Sequence, residues 1–175
     1  MGRLAVRLAI QSALQAGNLT YVGTVFPARP TIMDEEAYYQ TMSGTATQES
    51  AAGSSCVVVV NLPGQDKRMR RADTGRSAVN DTNIHPVVLE LFFASSGGEA
   101  IAAQQDYDAV VDSIVTFVRN NQTMSAPATV WSAGEYTAGV THNQSQPYTS
   151  ADGLTILIDG TVRFDAWEWI VGSGV

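Results

Sequence analysis

The sequence predicts an α+β domain: a mainly antiparallel β-sheet with two principal α-helices packed on it and long loops. Three observations carry this. Two segments repeat their apolar residues with the period of a helix, and several shorter runs are β-branched or alternate apolar with polar residues. Asp159-Gly160 stands between two of those runs, where a tight hairpin turn would need it. At 175 residues the chain has the length of one domain, taken to span residues 1–175. A globule of that size buries about 70% of its unfolded surface, enough for a core without staples.

Residues 4–16 read as the first helix. Arg3, Arg7, Gln11 and Gln15 recur every fourth position on one face, while Val6, Ile10, Ala13 and Leu14 share another. Gly17 is placed to end it, since glycine enters the left-handed region without steric cost. Residues 21–26 read as a strand, stopped by Pro27 and Pro30. Residues 33–42 stay open: Asp34, Glu35 and Glu36 would suit the positive end of a helix, but the segment is short. The small polar residues 45–55 read as a loop. Residues 56–62 are the β-branched run of a strand covered on both faces, closed by Pro63-Gly64.

Residues 65–83 form a long basic loop. Connections of this length are functional, disordered alone, or extended hairpins ordered by a neighbour. In residues 84–94 a strand pattern returns, with Val87, Leu89, Leu91 and Phe93 on one side and Val88, Glu90 and Phe92 on the other. A glycine-rich turn, 95–99, leads to the second helix, 104–121. There Tyr107, Val110, Val111, Ile114, Val115, Phe117 and Val118 make an apolar stripe, and Asp108 and Asp112 take the wet side. Acidic residues near its start and Arg119 near its end match the macrodipole. Residues 129–136 resemble a strand, and 137–152 a second long loop. Strands 154–158 and 161–164 flank the Asp159-Gly160 turn, and the last runs on through Trp167, Trp169 and Ile170.

Charge is segregated. Lys67, Arg68, Arg70, Arg71 and Arg76 are half of the ten basic residues and face Asp73 alone, a net of +4 over residues 67–76. The rest carries five basic against sixteen acidic groups, a net of −11, giving −7 for the chain. Like charges resist burial and persist where an opposite charge waits. The loop therefore has three readings: a solvated appendage, a nucleic-acid contact, or a dock for an acidic partner or an identical subunit. No aromatic residue interleaves the cluster for base stacking, and the acidic balance opposes wrapping DNA. Trp167 and Trp169 share one face of their strand, and Ala166 and Ile170 on the other face are also apolar. They read as core cover, or as part of a strand whose second cover comes from another subunit.

Catalytic chemistry is not evident. Cys56 is the only cysteine, so an intrachain disulfide is impossible and a zinc site unsupported. The candidates for nucleophile and base are Cys56 or Ser54 with His85 or His142. Cys56 opens an apolar strand and reads as inert core, and 53–56 lack the second glycine of a nucleophile elbow. His85 before Pro86 and His142 in a polar stretch read as structural or surface histidines. Asp106, Asp108 and Asp112 share one helix without matching ligands, and Gly97-Gly98 lacks the spacing of a phosphate loop. No cofactor, metal or enzymatic activity is expected. Arg7 breaks the first apolar run, and no stretch approaches the roughly 18 residues that span a bilayer. The chain reads as soluble and unexported.

In its order of elements the chain resembles the tail terminator (tail completion) proteins of long-tailed bacteriophages. The resemblance rests on the N-terminal helix before a strand ending in Phe26-Pro27 and a long excursion. It continues with the strand His85-Pro86-Val87-Val88-Leu89-Glu90-Leu91, the Asp-rich helix 106–119 and terminal strands ending near an aromatic-Ile. It implies a structural virion protein that forms a hexameric ring on the head-proximal end of the tail tube, stops polymerisation and meets the head connector. The implied partners are copies of itself, the tail tube protein, connector or neck proteins, and genome DNA passing through the channel without sequence-specific binding. A head-completion or neck ring protein is the nearest alternative; a nucleic-acid-binding module and an unrecognised hydrolase are the others. The basic cluster and the second long loop match no motif of the family.

Overall fold

The structure, a computed structural model, describes residues 3–29, 53–64, 67–71, 80–96, 99–121, 124, 130–132, 139–151 and 153–171. Along the chain run α1 (Arg3–Ala16), β1 (Val22–Phe26), β2 (Ser54–Asn61), β3 (Lys67–Arg71) and β4 (Asn80–Ser95). Then come α2 (Ala100–Asn120), β5 (Val130–Ser132), β6 (Thr141–Gln144), β7 (Tyr148–Thr149) and β8 (Ile156–Val171). Among the described residues, eight strands join one sheet, in which only β1 and β2 pair in parallel. The expected α+β class, with two helices on a mainly antiparallel sheet, holds.

The axis of the sheet is the β4–β8 ribbon. Its two strands of 16 residues pair without interruption, from Asn80 opposite Val171 to Ser95 opposite Ile156. Both flanks are segmented. On one side of β4, β2 pairs with Val88–Ser95 and β3 with Asn80–Ile84, so β2 and β3 lie end to end. The gap falls at 85–87, where Pro86 has no N–H to offer a neighbouring strand. Arg3 on α1 donates to the carbonyls of Leu62 and Gly64, oxygens that this gap leaves outside the ladder. Along the free side of β8, β5, β6 and β7 follow one another in the same manner.

Alternation in β4 and β8 sorts the two faces. Val87, Leu89, Leu91 and Phe93, with Ile158, Val162, Phe164 and Ala166, are buried against the helices. From α1 the core receives Val6, Ile10, Ala13 and Leu14, the face expected from their spacing. From α2 it receives Ala103, Tyr107, Val110, Val111, Ile114, Val115 and Val118. The valine run of β2 is buried on both sides: Cys56, Val58 and Val60 in this core, Val57 and Val59 in a second cluster with Phe26, Phe92 and Ala94. Two glutamines of α1 close the outer edge of β1. Gln15 accepts from Val25 N and donates to Gly23 O (3.0 and 3.1 Å), and Gln11 donates to Val25 O at 2.9 Å.

Several expectations are corrected. Asp159-Gly160 is no hairpin: β8 runs straight through it, opposite Phe92 and Leu91. Gly160 is there for space. A Cβ at this position would lie 1.7 Å from the hydroxyl of Tyr107, whose ring meets Phe93 edge-on at 5.7 Å. Gly17 likewise makes room, for the ring of Phe117, while the left-handed residue after α1 is Asn18 (φ 47°). The first long loop contains β3 and the start of β4, and the second contains β6 and β7, so neither is a loop throughout. Ser54 and Ser55 belong to β2 rather than to a loop. Because α2 begins at Ala100, Asp106 and Asp108 fall beyond its first turn, and the macrodipole is matched by Glu99 at the N-cap and Arg119 in the last turn. The segment 33–42 and residues 133–136 lie outside the described residues.

Gly160 can be tested directly. Gly160→Ala should cost about 2 kcal/mol in urea unfolding, the scale of core overpacking. Adding Tyr107→Phe should return part of that loss, since it removes the hydroxyl that the new methyl would strike but leaves the ring and Asn143 O each 2.9 Å away. Tyr107→Phe alone should cost little, because that buried hydroxyl has no hydrogen-bond partner among the described residues.

Candidate functional site

The sheet register decides whether the candidate nucleophiles and bases can meet. Cys56 stands opposite Phe93, and His85 lies eight residues further along β4, about 26 Å away at the rise of a strand. Ser54, opposite Ser95, is farther still. His142 on β6 is separated from β2 by β8 and β4, about 14 Å of sheet. Sequence candidates for one active site are thus spread over the sheet.

Each has a local occupation instead. Cys56 is wholly buried, and burial pushes its thiol far above the ordinary value, with a backbone hydrogen bond pulling weakly the other way. A neutral, inaccessible thiol is no nucleophile. Ser54 is also buried. Its hydroxyl donates to Asp106 Oδ2 at 2.6 Å, so the 2.9 Å contact with Ser95 is a bond that Ser95 donates. This relay ties the ends of β2 and β4 to α2. Asp108 and Asp112 are exposed on α2, as expected. No group of three His, Cys, Asp or Glu side chains that could hold a metal occurs among the described residues.

A buried ionisable pair was not foreseen. His85 Nε2 lies 3.1 Å from Glu168 Oε2, and both side chains are 2% exposed. Asn83 Nδ2 donates to the same oxygen at 3.5 Å. Glu168 stands opposite Asn83, and Ala166 opposite His85, so the pair is diagonal across the ribbon. Burial opposes ionisation of Glu168, but hydrogen bonds, those from His85 and Asn83 among them, more than offset it. The carboxyl is held below its ordinary value of 4.5. An ionised carboxylate only accepts, so Nε2 carries the proton between them. The clue was the alternation Phe164, Ala166, Glu168, which puts a carboxylate on the buried face.

The basic residues divide. Lys67, Arg68, Arg70 and Arg71 form most of β3, in register with Ile84, Asn83, Asp81 and Asn80 of β4; Arg76 lies outside the described residues. Trp167 is half-buried on the sheet face away from the helices, opposite Ile84 and Trp131, whereas Ala166 faces the main core. It therefore covers the second face and not the core beneath the helices. Trp169 stands opposite Thr82. No helix among the described residues is long and apolar enough to cross a membrane. No protein-family model matches the chain, and no curated protein matches it.

Two outcomes follow from these environments. Glu168, with its lowered pKa, stabilises the fold above its ordinary value, and that contribution fades as pH falls through the lowered one. Glu168→Gln should cost about 2 kcal/mol at neutral pH, and the gap to the parent protein should narrow below pH 4.5, as followed by urea unfolding across pH. Cys56 should react with a thiol reagent only on unfolding. Labelling of the folded protein at the rate of a free thiol would contradict its burial.

Proposed function

We propose that the chain is a structural subunit, without enzymatic activity, that assembles with copies of itself into a ring. In the reading carried by its resemblance to phage tail terminators, the ring caps the head-proximal end of a tail tube. It stops tube growth and offers a surface to connector or neck proteins, within the virion. DNA passes its channel without sequence-specific contact.

One observation carries the proposal. The end of the ribbon beyond Pro86 bears Lys67, Arg68, Arg70 and Arg71 on a short strand, while the remainder of the chain is strongly acidic. An arm of one sign on a body of the other favours contacts between copies, since each subunit supplies both partners. The dispersal of Cys56, Ser54, His85 and His142 supports a role in assembly over one in turnover. So does the sealing of the β1 edge by Gln11 and Gln15, which turns other surfaces toward neighbours.

Light scattering and negative-stain imaging of the purified protein, with and without tail tubes, test this reading. The parent protein should form rings or seat at one tube end. Arg70→Glu with Arg71→Glu should weaken that assembly on the order of 10- to 100-fold, more at low than at high salt. Normal rings and normal joining of tails by this variant would reduce β3 to a solvated appendage. Retardation of duplex DNA at physiological salt, lost on neutralising β3, would favour the nucleic-acid module instead.

A further inference from the structure

The acidic counterpart of β3 can be placed. The outer stripe of α2 runs through Ile101, Gln105, Asp108, Asp112, Thr116 and Arg119, all exposed, with Arg119 two turns beyond Asp112. Asp108 and Asp112 are one helical turn apart, a spacing at which like charges repel. None of the positions three or four residues from either is basic. Gln104 donates to Asp108 Oδ1 at 2.8 Å, a neutral contact that leaves the charge in place. An external cation would relieve this repulsion.

Apolar surface is exposed toward the N-terminal end of the same helix face. Ile101 is 76% exposed in the first turn of α2 and Leu154 is 70% exposed just before β8. Both belong to the end of the ribbon where β4 stops and β8 starts, with exposed Glu99 between β4 and α2. The basic strand marks the other end. Tyr107, next to Asp108, reaches Gly160 opposite Leu91, and Asp81, which pairs with Arg70, lies ten residues from Leu91, about 33 Å along β4. The two surfaces are therefore held apart within one subunit and can meet only between subunits.

We infer that the β3 end of one subunit docks on the α2 face of a second copy, its arginines against Asp108 and Asp112, with Ile101 and Leu154 covered beside them. The contact is head to tail, so it closes into a ring when the rotation between subunits is right. It rests on the ring-forming reading above and adds to it the surface that receives the arm. A copy fits better than nucleic acid, which the same acidic face would repel.

Charge exchange tests it. Asp108→Arg with Asp112→Arg, and separately Arg70→Glu with Arg71→Glu, should each raise the apparent dissociation constant on the order of 100-fold in sedimentation velocity. Combining all four changes in one chain should return it to within about tenfold of the parent. Mixing the two reversed proteins should also restore assembly, because each then presents the arm that the other's α2 accepts. Thermal melts confirm that each variant is folded. If the parent assembles but reversal on α2 leaves assembly unchanged, or neither the fourfold variant nor the mixture recovers, this contact is wrong while the ring stands. A parent protein that stays monomeric at every concentration, with and without tail tubes, removes the ring and the contact together.

Discussion

The pairing of β4 with β8 cannot slip, because one face of both strands is buried. Val87, Leu89, Leu91 and Phe93 stand opposite Phe164, Val162, Gly160 and Ile158, all on the helix side. A shift of one residue would turn the whole set to the opposite face. Each large apolar side chain so exposed forfeits about 1.5–3 kcal/mol, against a total stability of about 5–15 kcal/mol for an ordinary domain. Losing the whole set at once is comparable to all the stability that the fold has. Register is therefore fixed along the ribbon, and with it the placement of Gly160 under Tyr107 and the separation of the basic end from α2.

Pro86 sets where the flanking strand must break. A central strand offers hydrogen bonds to both neighbours, and Pro86, without an N–H, falls opposite the gap between β2 and β3. Nearby, Arg3 takes up carbonyls of the crossing segment and Glu168 holds His85 on the buried face. Removing one member of a buried pair leaves the other uncompensated, which costs more than the intact pair contributes. At the start of the arm these polar contacts stand beside the apolar cover of Ile84, which is itself buried opposite Trp167.

Much of this was legible in the sequence, and the misses share a cause. Both helices and the alternation of β4 were readable because burial imposes a period on the residues: Val6, Ile10, Ala13 and Leu14 in one case, Val87 to Phe93 in the other. The strands β3, β6 and β7 carry no such period. Every residue of β6 and β7 is exposed, so pairing with β8 leaves no apolar imprint. Asp159-Gly160 was misread because glycine answers two different needs, a positive φ in a turn or an absent side chain in a contact. Only the partner distinguishes them, and Tyr107 is more than 50 residues away in sequence. Glu168 was overlooked for a similar reason: its partner His85 lies on the other strand of the ribbon.

The chemistry of the basic residues argues for docking over mere solvation. Lys67 is the only lysine in the chain, and every other basic residue is arginine. A strand that only needed to stay wet would be served as well or better by lysine, whose ammonium is strongly hydrated. Guanidinium is less strongly hydrated, planar and able to give two parallel hydrogen bonds to one carboxylate. Arg29 illustrates the preference within the fold, reaching Glu90 at 2.7 Å across the second face of the sheet. A charged edge of this type also resists indiscriminate strand pairing between like edges, since bringing two such strands together juxtaposes cations. The same residues that discourage β3 from meeting another β3 leave it matched to carboxylates, so in the proposed ring the charge on the arm would select its neighbour by repulsion as well as attraction.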